Sequence, residues 1–443
     1  MNVAKIRGKE TKTILTPLCK LAQIDAENGG YMVDDILIKN GMILTMEDDE
    51  PVIENGTLLI EDGVITGIGK AELFLQNSTA QMIDATGSIV MPGLVNCHTH
   101  LPMSLFRGLA DDLPLEIWLS KHIFPAEAEQ INPDSVKKWA LHSCHELLFS
   151  GTTTCCDGYF YEDLVAKAVL ESGIRAVTGH GVIDFPAPGV PDPEKNVETA
   201  VNFAKKWKNR SSCIHPSIFC HSPYTCSKAT LKKAKQAADS LGILFQIHVA
   251  ETENEQNMIQ ENKDKSPVEY LDSLGLLDEH TLLSHAVWIN ENDIAIIKKR
   301  GASIAHCAES NMKLAAGIAP IPLIMENEII VGLGTDGSAS NNNLDLFLEM
   351  DTAAKLHKIA YSDPCVMNAK DVVKMATIGG AKALGLGKSI GSLKIGKKAD
   401  IIIINTEKPH LVPLYNPFST LVYGVKGSDV THVIVDGEIL CRP

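Results

Sequence analysis

Histidines and one carboxylate recur at the ends of short apolar runs in the middle of this chain. His98 and His100 end IVMPGLVNCHTH, His248 lies in ILFQIHVAE, His285 in TLLSHAVWI and Asp336 in IIVGLGTDGS. Three imidazoles and one carboxylate from such a group would form a ligand set suited to Zn²⁺ or Fe²⁺, with room left for a water molecule. The chemistry expected of that arrangement is activation of the water as a nucleophile.

Each of these signals is weak when it is taken alone. His98 and His100 are two apart, so on a strand both side chains leave the same face and can meet one ion. Two core or exposed histidines would give the same letters, and Asp336 in GTDG would serve equally well as a turn former. Polar side chains at four strand ends are hard to explain by packing, so together they predict a metal site.

The apolar runs alternate with amphipathic stretches typical of helices, such as DLVAKAVLESG and KATLKKAKQAADSLG. Eight such βα units over roughly 290 residues fit a TIM-type (β/α)8 barrel, whose active sites lie at the C-terminal ends of the strands. A doubly wound parallel sheet is the alternative. It is weakened because no G-x-G-x-x-G follows the first strand.

Both ends of the chain have a different, β-rich pattern. ILIKNGMILTM and GTLLIEDGVITGIG stand near one end and GSLKIGKKADIIIIN and THVIVDGEIL near the other, with Asn-Gly and Asp-Gly hairpin turns. We therefore predict an α/β fold in three parts. These are an N-terminal extension at 1–30, a small β-sandwich domain built from 31–90 and 388–443, and the barrel catalytic domain at 91–387.

The composition narrows the class of protein and its partners. Of 443 residues, 45% are hydrophobic and 21% charged, as in ordinary globular proteins. The net charge of -15 has the wrong sign for binding a polyanion, so neither nucleic acid nor an acidic membrane surface is an expected partner. No run of roughly 18 apolar residues and no signal-peptide pattern occur, so a cytoplasmic location is expected. The eleven cysteines include no C-x-x-C pair and are expected to be reduced.

Longer segments of the chain resemble the amidohydrolase superfamily. They include PGLVNCHTHLPMSLFRGLADDLPLEIWL, IHVAETENE, LLSHAVWI, AHCAESNMKLAAGIAPI, VGLGTDGSASNNNLDLFLEM and GSLKIGKKADIIIIN. Within the superfamily they are similar to the 5-methylthioadenosine/S-adenosylhomocysteine deaminases, which are related to the triazine hydrolases. The resemblance runs from residue 35 to residue 443. It implies hydrolytic deamination of 5′-substituted adenosines, for example 5′-methylthioadenosine to 5′-methylthioinosine and S-adenosylhomocysteine to S-inosylhomocysteine, with release of ammonia.

The resemblance also assigns roles to individual residues. The metal ligands fall on His98, His100, His248 and Asp336, the catalytic roles on Glu251, His285 and Asp336, and the substrate contacts on Glu127, His180, His221, Glu251 and Asp336. Glu251 would protonate N1 of the purine, His285 would orient the attacking oxygen, and Asp336 would relay a proton to the leaving ammonia. Glu127 would bind the ribose hydroxyls and His221 would contact the base.

A single divalent cation per subunit is expected, with Zn²⁺ first and Fe²⁺ or Mn²⁺ as alternatives. Relatives with two metals use a carboxylated Lys at the end of the fourth strand, and the text there, IHPSIFCHSPYT, contains no Lys. Two other groups of residues are expected not to bind metal. His142, His145 and Glu146 have helical spacing but match no zinc-protease motif, and His306 in SIAHCAES is expected at most to line the pocket.

One position departs from the family pattern and leaves the substrate open. Where members commonly carry Arg at the end of the third strand, this chain has His180, which lacks the two-pronged donor of a guanidinium. 5′-Methylthioadenosine, S-adenosylhomocysteine, 5′-deoxyadenosine and adenosine all remain candidates. The alternatives are a deaminase or chlorohydrolase of another heteroaromatic ring, such as guanine, a pterin or a triazine, and a non-catalytic barrel. A homo-oligomer, either dimer or tetramer, is also expected.

Overall fold

The central segment of the chain forms eight parallel strands. The computed structural model describes residues 35–49, 51–70 and 80–441, so the predicted extension at 1–30 lies outside the described residues. The eight strands are β6 (Leu94–Thr99), β7 (Thr152–Tyr159), β8 (Arg175–Val182), β9 (Ile214–Cys220), β10 (Leu244–Val249), β11 (Thr281–His285), β12 (Ser303–His306) and β13 (Val331–Leu333). They are hydrogen-bonded in sequence order from β6 to β13.

The first and last of these strands also lie side by side. The amide of Asp336 donates to the carbonyl of His98 at 2.9 Å. Just below, the amide of Thr335 donates to Asn96 Oδ1, and the Asn96 side-chain amide donates to Thr335 Oγ1. These bonds bring the end of β13 against β6, and the predicted (β/α)8 barrel is confirmed.

Helices connect the strands and cover the barrel. They are α1 (Leu115–Ile117), α2 (Phe124–Gln130), α3 (Pro133–Phe149), α4 (Glu162–Ser172), α5 (Asn196–Trp207), α6 (Lys228–Leu241), α7 (Glu253–Lys263), α8 (Pro267–Ser273), α9 (Glu291–Arg300), α10 (Ala308–Lys313), α11 (Ile321–Glu326), α12 (Ser338–Asn341), α13 (Leu346–Tyr361), α14 (Ala369–Lys374), α15 (Gly380–Ala383) and α16 (Pro417–Tyr423). Short 3₁₀ or π turns occupy Leu101–Phe106, Trp118–Ile123, Pro193–Lys195, Met375–Gly379 and Gly427–Asp429. Among the described residues, no helix is long and apolar enough to cross a bilayer.

Local sequence explains where a typical barrel helix begins and ends. The Ser227 side chain accepts a hydrogen bond from the amide of Thr230 and so caps the start of α6. At the other end Gly242 adopts a left-handed φ of 59°, which glycine does at little cost. Between the caps, Leu231, Ala234 and Ala238 are buried at helical spacing, which places the apolar face of α6 against the barrel.

A second sheet is built from both ends of the chain, as predicted. Its strands are β1 (Ile36–Leu44), β2 (Val52–Glu61), β3 (Val64–Lys70), β4 (Gln81–Asp84), β5 (Ser88–Pro92), β14 (Ile401–Asn405), β15 (Val430–Val435) and β16 (Glu438–Cys441). Seven run in the order β16-β15-β14-β5-β1-β2-β3, and β4 pairs with β1. Isoleucines of the early and late strands, such as Ile38, Ile65, Ile403 and Ile434, share one buried core. The two ends of the chain therefore complete a single lobe.

The apolar run IVMPGLVNCHTH is divided between the two sheets. Its first half is β5, which pairs with β14 in the lobe, and its second half is β6 of the barrel. The break falls at Gly93, where a Cβ atom would stand 2.1 Å from the side chain of Thr153. The close approach of the two chain segments requires glycine here, so one apolar run serves two sheets.

A buried ion pair joins the lobe to the barrel. Arg175, at the start of β8, donates from Nε and Nη2 to the carboxylate of Asp400 at 2.7 and 2.9 Å. Both side chains are almost fully buried, and Arg175 also donates to the carbonyl of Ser212. The guanidinium thus fixes the N-terminal end of the barrel to the residue that precedes β14.

Candidate active site

The structure brings the four predicted metal ligands together at the C-terminal end of the barrel. Nε2 of His98 lies 3.1 Å from Nε2 of His248 and 3.4 Å from Oδ1 of Asp336, and Nε2 of His100 lies 3.3 Å from the same oxygen. The ligand atoms of His98, His100 and His248 all lie within 4.8 Å of one another, as do those of His98, His285 and Asp336. This spacing is compatible with one shared cation.

The imidazoles at this centre are held in orientations that suit ligands. His100 donates from Nδ1 to the carbonyl of Gly158 at 2.7 Å, which leaves a lone pair on the Nε2 atom that faces Asp336. Nδ1 of His98 is hydrogen-bonded to Ser284 Oγ. Burial lowers the pKa of His98 to about 4, so its ring is neutral at physiological pH. Neutral imidazoles with the remote nitrogen engaged are the usual form of histidine ligands.

Both oxygens of the Asp336 carboxylate are engaged. Oδ1 faces His98 and His100 and accepts a hydrogen bond from the amide of Gly337, whereas Oδ2 accepts from Ser310 Oγ at 2.7 Å and from Ser340 Oγ at 2.6 Å. Burial alone would raise the pKa of Asp336, but the neighbouring imidazoles hold it well below its ordinary value. The carboxylate is therefore ionised, with one oxygen toward the metal-ligand atoms and the other toward two hydroxyls.

Glu251 and His285 stand together beside this centre. Oε1 of Glu251 lies 4.0 Å from Nε2 of His285. Asn311 Oδ1 accepts from Nδ1 of His285 at 2.9 Å and fixes the ring, while the Glu251 and Asp336 carboxylates raise the pKa of His285 against the opposing effect of burial. Burial raises the pKa of Glu251. A carboxyl group whose pKa is raised holds its proton to higher pH, which is the direction that a general acid requires.

The backbone turns sharply at three places in this site. Ala250, His285 and Asp336 all have left-handed φ angles, of 50°, 73° and 61°. Residues other than glycine rarely adopt this conformation, which costs energy and persists where surrounding structure enforces it. At Ala250 the enforcing group is the carboxylate of Glu255, which accepts from the amides of Ala250 and Glu251 at 2.9 and 3.0 Å.

A cavity of about 260 Å³ opens above these residues. Glu127, on α2, lies in its wall and accepts a hydrogen bond from the Tyr159 hydroxyl. Burial raises the pKa of Glu127 to about 7, although the Tyr159 hydroxyl opposes the shift. His221 also lines the cavity, and its Nδ1 is hydrogen-bonded to Thr225 Oγ1 at 2.8 Å. The cavity therefore combines the metal-ligand cluster, the acid candidate Glu251 and both of these predicted substrate contacts.

Comparison with known proteins identifies the family. The model of the amidohydrolase family matches residues 89–440. The chain belongs to the amidohydrolase family. It is 44% identical over 407 residues to a 5-methylthioadenosine/S-adenosylhomocysteine deaminase of Syntrophobacter fumaroxidans, with 92% of each chain covered. It is 46% identical over 407 residues to a 5′-deoxyadenosine deaminase of Methanosarcina acetivorans, again with 92% of each covered.

Two solved structures share the fold over most of the chain. An adenosine deaminase from Xanthomonas campestris with bound zinc superimposes with a TM-score of 0.90 at 34% identity, covering 92% of this chain and 93% of that chain. A triazine hydrolase from Arthrobacter aurescens superimposes with a TM-score of 0.86 at 23% identity, covering 92% and 95%. The second likeness concerns the fold alone.

His180 is the one predicted substrate contact that this amidohydrolase does not bring to the cavity. Gly181, the next residue of β8, lines the cavity wall, but His180 does not. Adjacent strand residues face opposite sides, so we infer that His180 points toward the helical layer, where Asp163 of α4 is a charged neighbour. Burial lowers the pKa of His180 to about 4, and its Nε2 has no hydrogen-bond partner among the described residues.

The histidines set aside in the sequence lie outside the cavity wall. His142 packs edge-on against Trp139, and Glu146 forms an ion pair with Arg107. His306 does not line the cavity; its Nε2 lies 3.1 Å from that of His357, and both rings are buried. His306, which was expected at most to line the pocket, does not line it, because its ring is engaged with that of His357.

Sequence reasoning missed the residues that position the site. They are Tyr159, Glu255, Ser310, Asn311 and Ser340. Tyr159 ends a barrel strand, and this position could have singled it out in the way it singled out the histidines. The others lie on or beside short helices after the strands, where acids, hydroxyls and amides are common for capping alone.

Proposed function

We propose that this amidohydrolase removes the 6-amino group of 5′-substituted adenosines by hydrolysis and releases ammonia. The observation that carries the proposal is the convergence, in one cavity, of the ligand cluster, the candidate acid Glu251 and a second acidic side chain, Glu127. The relatives named as 5-methylthioadenosine/S-adenosylhomocysteine and 5′-deoxyadenosine deaminases support the same reaction.

His98, His100, His248 and Asp336 would hold one divalent cation, and we propose Zn²⁺ ahead of Fe²⁺ or Mn²⁺. Three neutral imidazoles and one carboxylate suit these ions and leave the centre with a net positive charge. When bound, such a cation supplies Lewis-acid chemistry and makes water a nucleophile near neutral pH. The zinc in the Xanthomonas campestris structure supports this choice.

The protein side chains would then move the protons. Glu251 donates its proton to N1 of the purine, which makes C6 electron-poor and open to attack by water. The Asp336 carboxylate takes a proton from the attacking water and passes it to the amino group, which leaves as ammonia, and the second proton of that water returns to Glu251 as the C6 carbonyl forms. His285, fixed by Asn311, orients the oxygen that adds to C6. Glu127 binds the ribose hydroxyls, and His221, which also lines the cavity, contacts the base.

Replacing Glu251 with Gln tests the reaction directly. The variant keeps the shape and the hydrogen-bonding reach of the side chain but has no acidic proton, so we expect kcat on 5′-methylthioadenosine to fall by about 10²-fold or more. Glu253→Gln is the matched control, because Glu253 is an exposed residue two positions away. Loss of the adenine absorbance band and release of ammonia report the rate. Full activity in Glu251→Gln would contradict the proposed role.

Glu127 separates this reaction from deamination or dechlorination of a bare ring such as guanine or a triazine. A ring without ribose gives the Glu127 carboxylate nothing to bind. We therefore expect Glu127→Gln to raise KM for 5′-substituted adenosines by about tenfold and to leave turnover of ring-only compounds, if any occurs, unchanged. Unchanged kinetics on every adenosine would favour the ring-only alternative.

A further inference from the structure

We propose that this site selects adenosines whose 5′ substituent is apolar and uncharged, and that it discriminates against those carrying a carboxylate or a phosphate at that position. This inference rests on the proposed deaminase function and names the substrate class within it. It concerns the part of the cavity that lies beyond Glu127, away from the metal-ligand cluster.

The position of the 5′ group follows from two fixed points. The C6 end of the purine must reach the ligand cluster and Glu251, and the ribose hydroxyls must reach the Glu127 carboxylate. A nucleoside held at both points directs its 5′ carbon toward the chain segments that flank Glu127. These are the segment Leu115–Phe124 and the loop 183–188 after β8, and the cavity-lining residues that they contribute are Leu115, Trp118, Leu119, Ile123, Phe124, Ile183, Phe185, Pro186, Ala187 and Pro188.

These two segments make an apolar wall. The Phe124 and Phe185 rings meet at 6.1 Å between centroids and 64° between planes, which closes one side of the cavity. Leu119, Ile123 and Ile183 complete the same wall. A methylthio group or a bare methyl group would bury apolar surface here, at a gain of roughly 25 cal/mol per Å².

Nothing in that wall compensates an anion. Among the described residues that line the cavity there is no Lys and no Arg, and the charged groups there are acids, among them Glu127 itself. His180, which stands where the family commonly has Arg, does not reach the cavity. A carboxylate or phosphate in this position would lose water without gaining a partner, and that transfer is costly.

A neighbouring groove that contains two lysines offers a competing location for a charged tail. It carries Lys228 and Lys263 and shares Phe185 and Tyr224 with the cavity. Phe185 and Tyr224 line both the cavity and the groove. In the groove, the Lys263 ammonium lies 5.7 Å from the centroid of the Tyr270 ring. A tail in the groove would have to pass the aromatic pair, so the apolar wall is the surface that a 5′ group meets first.

Substrate comparison with the wild-type enzyme is the primary test. We expect kcat/KM for 5′-methylthioadenosine and 5′-deoxyadenosine to exceed that for S-adenosylhomocysteine and adenosine 5′-monophosphate by roughly tenfold or more, because the charged groups stay unpaired. A kcat/KM for S-adenosylhomocysteine within about twofold of that for 5′-methylthioadenosine would overturn this inference but not the deaminase function. Failure to deaminate any of the four would overturn the deaminase function together with it.

A charge introduced into the wall gives an independent test. In Phe185→Arg we expect the ratio of kcat/KM for S-adenosylhomocysteine to that for 5′-methylthioadenosine to rise by roughly tenfold, because a guanidinium can pair with the amino-acid carboxylate. Leu348→Arg, at a partly exposed position on α13 outside the cavity wall, makes the same charge change and should leave the ratio unaltered. An unchanged ratio in folded Phe185→Arg would count against the inference, and the wild-type comparison decides it if that variant does not fold.

Discussion

Ser310 and Ser340 hold the oxygen of Asp336 that points away from the metal-ligand cluster. Their hydroxyls donate to Oδ2 at 2.7 and 2.6 Å, so the carboxylate cannot rotate without breaking two hydrogen bonds. Outer partners of this kind orient a ligand and are worth roughly 10- to 100-fold in metal affinity or activity. The two serines are as much a part of the proposed centre as the residues that bind the ion.

Replacing these hydroxyls should weaken metal binding. We expect Ser310→Ala and Ser340→Ala each to lower the affinity for Zn²⁺ by roughly tenfold, since Oδ2 loses a donor that fixes it. Competition with a chromogenic chelator measures the affinity without reference to turnover. Ser240→Ala, at an exposed position of α6, is the control. Unaltered affinity in both variants would show that the hydroxyls do not orient Asp336.

Glu127 should give substrate binding a pH dependence near neutrality. Burial raises its pKa to about 7, so the carboxyl is protonated below that pH and ionised above it. The ionised form accepts two hydroxyl hydrogen bonds more strongly, and we therefore expect KM to fall as the pH rises through about 7. Glu127→Gln should remove this pH dependence of KM, and so should the use of an adenosine that lacks both ribose hydroxyls.

The same raised pKa affects stability. The folded chain binds the Glu127 proton more tightly than the unfolded chain does, so the free energy of unfolding falls as the pH rises from 4.5 to about 7.

The turns after the barrel strands set the direction of the catalytic side chains. Glu255, in the first turn of α7, binds the amides of Ala250 and Glu251 and so holds Glu251 at the edge of the cavity. Glu349 of α13 plays a similar part after β12, where its carboxylate accepts from the amides of Ala308 and Glu309. Buried carboxylates on helices thus shape the loops at two strand ends.

Removing the Glu255 carboxylate should reduce catalysis and leave the metal site loaded. In Glu255→Ala the buried amide of Ala250 and the partly buried amide of Glu251 lose their acceptor, and we expect kcat to fall by about 10-fold or more as Glu251 loses its fixed position. Metal content measured on the same sample should stay near that of the wild type. Glu261→Ala, at an exposed position of the same helix, is the control. Equal loss of metal and of activity would show that Glu255 supports the whole site and not Glu251 in particular.

The sequence predicted ligands better than it predicted what surrounds them. His98 and His248 stood out because they lie near the ends of apolar strands, and Asp336 because it follows one; the parallel strands of a barrel end at one face. His180 also lies near the end of a strand, but adjacent strand residues face opposite sides, and His180 is on the side that faces away from the cavity. The resemblance to the family did not reveal which side it faces. Glu255 looked like an ordinary acid in a first helical turn, because its partners are amides that local sequence does not identify.

At the scale of the whole molecule, the barrel and the lobe were both predictable from their patterns, but the joint between them was not. The same pattern of short β-type runs and hairpin turns occurs at both ends of the chain and indicated a shared lobe, which the buried core confirms. The sequence predicted that Gly93 lies inside a single strand, but at Gly93 the apolar run passes from the lobe to the barrel. The domain boundaries stay predictions, as does a dimer or tetramer, for which light scattering on the purified chain is the direct measurement.

The Arg175–Asp400 pair should contribute strongly to the stability of that joint. In Asp400→Ala the buried guanidinium loses its two-pronged partner and keeps only the longer ion pair with Asp436, at 3.5 Å, so we expect the free energy of unfolding to fall by about 3 kcal/mol. Urea denaturation followed by circular dichroism measures the loss. Glu328→Gln, which breaks the exposed pair with Lys298, should cause little change. A small effect of Asp400→Ala would mean that water or a neighbouring group solvates the guanidinium.

The pairing of β5 with β14 imposes an order on the making of the molecule. Ile89 and Val90 emerge from the ribosome early, and their partners Ile404 and Ile403 are synthesised only after the entire barrel. Until β14 is synthesised, the β14-facing edge of β5 is unpaired and apolar in the nascent chain, and such an edge can aggregate or bind a chaperone. The lobe is therefore begun first and finished last.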